Sequence, residues 1–121
     1  MIIEELTGFT VYEKPTCSTC RNLIKKFNED SIDYKKVDYY SKPFTKNGLK
    51  QILKKLKMKP AEILRKKEKL YKELDFANKK YSDDEIIGLM VEHPDLIQRP
   101  IVIKGDKAVI ARPIEKYKEL D

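Results

Sequence analysis

Cys17-Ser18-Thr19-Cys20 holds the only two cysteines of the chain, and they sit where a strand pattern gives way to a helical one. Phe9-Thr10-Val11-Tyr12 reads as a short β-strand, and Glu13 to Thr16, with Pro15, as a loop. Cys20, Leu23, Ile24 and Phe27 then recur at i, i+3, i+4 and i+7, the apolar face of a helix starting near Cys17. A thiol at a helix N-terminus meets free backbone N–H groups and the positive end of the helix dipole, which stabilise its thiolate. Cys17, at the tip, is therefore the expected nucleophile. Cys20 lies one turn in, with its Cβ about 5–6 Å away, so a modest adjustment permits a disulfide. No metal site is expected, because structural zinc wants four Cys or His ligands and the chain offers two cysteines and His93. Two inert buried cysteines are the plain alternative, strongest for Cys20 on its apolar face. Spacing and placement argue against it for the pair.

Tyr34 to Tyr39 reads as a second strand, so the first 40 residues spell β-α-β, the signature of a parallel strand pair. A lysine-rich helix over Thr45 to Lys57 follows, with Leu49, Ile52, Leu53 and Leu56 at helical spacing. Pro60 opens another helical segment that includes Ile63, Leu70 and Leu74. Ser82 and Glu85 form a capping box ahead of Ile86, Ile87, Met90 and Val91, and Pro94 ends that helix. Ile101 to Ile103 and Ala108 to Ala111 flank Gly105-Asp106 as a hairpin, and a short helix is expected after Pro113. With no internal repeat or linker, residues 1–121 are expected to form a single domain. The predicted class is α/β, in the order of the thioredoxin and glutaredoxin fold. That order implies a mixed four-stranded sheet with an enlarged helical insert.

Charge adds a second constraint. Of 26 basic residues 22 are lysine, leaving Arg21, Arg65, Arg99 and Arg112 as the only arginines. In so lysine-rich a chain, arginine marks positions that need a planar, bidentate fork. Arg99 and Arg112 each directly precede a proline. In thioredoxin folds a cis-proline at the place of Pro100 faces the reactive cysteine, so Arg99 would line the site; the bland reading is a proline opening a strand. The first residues lack a basic region ahead of an apolar stretch, and no apolar run could span a membrane. A cytoplasmic, reducing compartment is expected, where cysteines are more often catalytic than structural.

Taken together, these motifs resemble the glutaredoxin-like arsenate reductase family (ArsC), which also contains the redox regulator Spx. The likeness runs from Phe9 almost to the C-terminus. It rests on Cys17-Ser-Thr-Cys-Arg-Asn, Ile63-Leu-Arg65-Lys, the run from His93 through Arg99-Pro100 to Ile103, and Ala111-Arg112-Pro113. The resemblance implies that Cys17 attacks an oxyanion, arsenate, held by Arg65, Arg99 and Arg112, with Pro100 as the cis-proline. It implies no bound cofactor; the reductant would be an external thiol donor, either glutathione with glutaredoxin or thioredoxin.

Two departures from the family pattern bear on mechanism. The best-known reductases of this type lack a cysteine at the place of Cys20, whereas Spx has one, so Cys20 could resolve the intermediate here. Spx-like regulators, conversely, lack a match to Arg112-Pro113. They also use a glycine ahead of the first family arginine to contact the C-terminal domain of the RNA polymerase α-subunit. Leu56 to Glu62 has no glycine. That tilts the reading to a thiol-dependent reductase, with a polymerase-binding redox regulator as the rival.

Other signals are demoted. Seven lysines and no acidic residue lie between Tyr39 and Ala61, and Lys46, Lys50, Lys54 and Lys57 share a helix face. With no arginine or aromatic interleaved on that helix, it reads as a solvated face, and direct nucleic-acid binding is not expected. His93 reads as a partner of the last helical carbonyls. Arg21, next to Cys20 on the helix, either meets the site's anion or forms a solvent-facing ion pair, and Tyr12 either lines the site or packs beside it.

Overall fold

The computed structural model describes residues 8–76 and 78–120. Within them two compact units form, one combining the stretch that ends at Lys42 with the stretch that begins at Arg99, the other spanning Pro43–Gln98.

In the first unit β1 (Phe9–Glu13) pairs in parallel with β2 (Tyr34–Asp38), with Val11 opposite Lys36. Its other edge pairs antiparallel with β3 (Ile101–Lys104), which pairs antiparallel with β4 (Lys107–Ile110), giving the order β2-β1-β3-β4. The sheet is the mixed four-stranded one that the element order predicts. Gly105 takes a φ of 64° in the hairpin turn, a left-handed conformation that costs glycine nothing. The strand expected over Tyr34 to Tyr39 stops at Asp38. There the Asp38 carboxylate accepts from the Tyr40 N–H and the Ser41 hydroxyl, both at 2.9 Å, and the chain turns away.

Helix α1 (Ser18–Glu29) returns the chain between the two parallel strands. Its buried stripe is Cys20, Leu23 and Phe27, as the 3.6-residue period requires. Phe27, fully buried, is the hub of the core. Its ring lies 5.3 Å from Phe9, 5.6 Å from Tyr34 and 4.8 Å, edge-on, from Tyr117. Tyr117 belongs to the closing segment Ile114–Leu120, the short helix expected after Pro113, which takes the 3-10 form.

In the second unit Thr45 caps α2 (Lys46–Leu56) by accepting from the Gly48 N–H at 2.9 Å. The segment read as one helix from Pro60 is broken in two. Pro60–Ile63 is a 3-10 turn and α3 is only Lys69–Glu73. Between them Leu64 bridges Ile97, with the Gln98 N–H on the Ile63 carbonyl at 2.9 Å. That pairing joins residues more than 30 apart, so local periodicity could not reveal it. The capping box at α4 (Asp83–Glu92) is present, with Ser82 Oγ accepting from the Glu85 N–H at 3.1 Å and Glu85 Oε1 from the Ser82 N–H at 3.0 Å. Pro94–Leu96 follows as a 3-10 turn.

Replacing Phe27 with Ala should empty the shared centre of this aromatic cluster and cost about 3–5 kcal/mol of unfolding free energy. Urea denaturation followed by circular dichroism measures it; a loss below about 1 kcal/mol would mean that the site repacks and Phe27 is no hub.

Candidate active site

Cys17 is the N-cap residue of α1, with φ −81° and ψ 124°, and its carbonyl accepts from the Arg21 N–H at 3.0 Å. Its own N–H donates to the Lys14 carbonyl at 2.9 Å, closing the turn that carries Pro15. Partial burial pushes the Cys17 thiol up. Hydrogen bonds to its sulfur from the Cys20 N–H, the Cys20 thiol, the Arg99 guanidinium and the Thr19 N–H outweigh that, and the pKa falls to about 7. Cys17 is thus substantially thiolate at neutral pH. Cys20 is fully buried, and burial pushes its pKa up to about 12. The charges of Cys17 and Glu13 add to the rise, against a hydrogen bond from the Lys14 backbone. Both cysteines are free thiols, one poised and one protonated.

Arg99 stands immediately before β3 and is only 6% exposed. Its carbonyl accepts from Arg112 Nη1 at 3.1 Å, so one arginine steadies the backbone of the other. The Arg99–Pro100 and Arg112–Pro113 peptides are both cis, and Pro100 is buried. Burial alone would lower the Arg99 pKa, but electrostatic interaction with Tyr39 and Tyr40 and the hydrogen bond to Cys17 outweigh it and the pKa rises. Its Nε and Nη1 are buried with no hydrogen-bond partner among the described residues. A buried cation with unmet N–H donors is costly, and an anion bound there would relieve it. The site therefore combines a thiolate nucleophile with a desolvated fork able to grip an oxyanion.

The structure brings Cys17, Cys20 and Arg99 together, with Arg112 docked on the Arg99 carbonyl and its own residue exposed. Arg65 belongs to the Pro43–Gln98 unit. There its N–H donates to the Leu96 carbonyl at 2.7 Å and its Nε pairs with Glu68 at 3.3 Å. Arg21 is exposed. Tyr12 alternates to the sheet face opposite Phe9 and Val11 and is half-buried. The His93 N–H caps α4 on the Leu89 carbonyl at 2.8 Å. On the lysine face, Lys46 and Lys50 pair with Asp84 of α4 at 2.9 and 3.3 Å.

Glu13 escapes a motif-led reading, which assigns it to the loop. It is the last residue of β1 and only 2% exposed. The signal for it was present, since Phe9, Val11 and Glu13 follow the two-residue period of a strand. Among the described residues no group of three or more His, Cys, Asp or Glu could hold a metal, and no helix is long and apolar enough to cross a membrane.

The sequence matches the ArsC family over residues 12–120. It is 38% identical over 111 residues to the uncharacterized protein YfgD of Escherichia coli K12, covering 91% of this chain and 93% of that protein. An arsenate reductase of the same strain is 30% identical over 115 residues, covering 95% and 82%. An arsenate reductase structure from Vibrio cholerae matches with a TM-score of 0.89 at 31% identity, over 95% of this chain and 98% of that one. The sheet order and the helix between its parallel strands are those of this thioredoxin-like fold. On sequence and fold alike, the chain belongs to the ArsC family.

Proposed function

We propose that this chain is a thiol-dependent oxidoreductase of the arsenate reductase type, with arsenate as its substrate. The observation that carries the reading is the Arg99 guanidinium, which is buried, hydrogen-bonded to the Cys17 sulfur and has two N–H-bearing nitrogens unmet. Those nitrogens take oxyanion oxygens and hold the central atom next to the nucleophile, while the N–H groups of the first turn of α1 add fixed positive potential. Arg112, docked on the Arg99 carbonyl, adds a second guanidinium to the oxyanion set.

The Cys17 thiolate attacks arsenic, an arsenate oxygen leaves as water after protonation, and a sulfur–arsenic(V) bond forms. A second thiolate, from Cys20 or an external thiol such as glutathione, then attacks the Cys17 sulfur. The electron pair of the sulfur–arsenic bond stays with arsenic, which leaves as arsenite, while two thiols become a disulfide. Thioredoxin, or glutathione with glutaredoxin, returns the protein to its dithiol form.

Arsenate-dependent NADPH oxidation, coupled separately to the two donor systems, tests the reading. Turnover should occur with at least one donor and fall to background in Cys17→Ser; no turnover with either, or full activity in the variant, would overturn it. Alkylation of Cys17 by iodoacetamide should rise with pH and reach half its maximal rate near pH 7, because the thiolate is the reactive form and its pKa is about 7. A midpoint at the ordinary thiol value would remove the activated nucleophile. Arg99→Lys keeps the charge but loses the fork, so kcat/KM for arsenate should fall about tenfold or more. Unchanged kinetics would take Arg99 out of oxyanion binding.

A further inference from the structure

Two titratable groups lie on the layer between β1 and α1, and only one has a role so far. Phe9, Val11 and Glu13 occupy one face of β1, and Cys20, Leu23 and Phe27 one face of α1. The Phe9 and Phe27 rings fix how these faces meet. Because β1 and β2 are parallel, α1 must run back against β1. Glu13 is then about 13 Å from Phe9 along the strand. Cys20 is about 10 Å from Phe27 along the helix, displaced towards the same end. The carboxyl and the thiol are thus stacked at one end of the layer, 2% and 0% exposed.

We infer that Glu13 is the proton acceptor that activates Cys20 for the resolving step. The inference rests on the proposed reaction, in which Cys20 attacks the Cys17 adduct. In the resting dithiol, the Cys20 S–H donates to the Cys17 thiolate. Once the Cys17 sulfur is covalently bonded it is a poor acceptor and no longer carries the charge that kept Cys20 protonated. Glu13 is then the charged group acting on Cys20 that remains. The proton passes from Cys20 to the Glu13 carboxylate as the Cys20 sulfur bonds to Cys17 and the departing group leaves with its electron pair. Burial raises the Glu13 pKa above that of an ordinary carboxyl, which makes it a better base for a thiol. The charged groups that act on it are Lys36, which opposes the rise, and Asp38, which adds to it, while Cys20 faces it from α1.

Reaction with 5,5′-dithiobis(2-nitrobenzoate) isolates the step without arsenate. Cys17 attacks the reagent and releases one thionitrobenzoate, and Cys20 then attacks the mixed disulfide and releases the second. Stopped-flow absorbance should show two phases, the second absent in Cys20→Ser. In Glu13→Gln the first phase should persist while the second slows at least tenfold at pH 7 and loses its rise through the Glu13 ionisation. Glu13→Asp should restore part of the rate. If Glu13 acts only by repelling negative charge, Gln lowers the Cys20 pKa and the second phase accelerates; that sign, or no change, overturns the inference. A wild-type protein without a second phase overturns Cys20 resolution and this inference with it. Failure of arsenate turnover with both phases intact would instead overturn only the substrate.

Discussion

The parallel pairing of β1 with β2 obliges the chain between them to travel back across the sheet, and α1 is the element that makes the journey. The aromatic cluster around Phe27 locks that helix onto the strand face, so its first turn has no freedom to drift. Cys17 is therefore held at the one place where a thiol meets both free backbone N–H groups and the segment leading into β3. The low pKa of Cys17 is a consequence of this packing as much as of its own helix.

Arg99 shows the same dependence from the other side. It is delivered by the strand next to β1, and its carbonyl is held by Arg112 from the end of β4. Burial would favour loss of its proton, yet the nearby negative and aromatic hydroxyl groups keep it charged. A desolvated guanidinium with unmet donors costs stability in the resting protein. An anion bound there would offset that cost, because its oxygens would meet the N–H groups that burial has stripped of water.

The two cysteines, three residues apart, are driven in opposite directions by their depth and by the donors and charges each one meets. One sits at the helix tip, where donors converge on its sulfur; the other lies a turn deeper, where apolar surroundings and two negative neighbours keep its proton. This division gives one ionised thiol and one protonated thiol from a single short motif. The lysine-rich face of α2, in contrast, engages Asp84 of α4 and belongs to the Pro43–Gln98 unit.

Periodicity and cap chemistry act within a few residues, and what depends on them was legible in the sequence. The strands, α1, α2, α4, the Ser82 box, the Gly105 turn and the helix-tip position of Cys17 all belong to that set. Composition singled out all four arginines alike, and of these the fold buries Arg99 and leaves Arg21 and Arg112 exposed. Contacts between distant segments decided the rest. The Leu64–Ile97 bridge cut a continuous helical pattern into a turn and a short helix, because backbone pairing satisfied groups that local propensity would have used otherwise. Glu13 reads as a loop residue until β1 continues through it and buries it with Cys20. The burial of Arg99 and the opposed ionisation of the two thiols likewise have no local signature, since both depend on how much water the folded chain excludes.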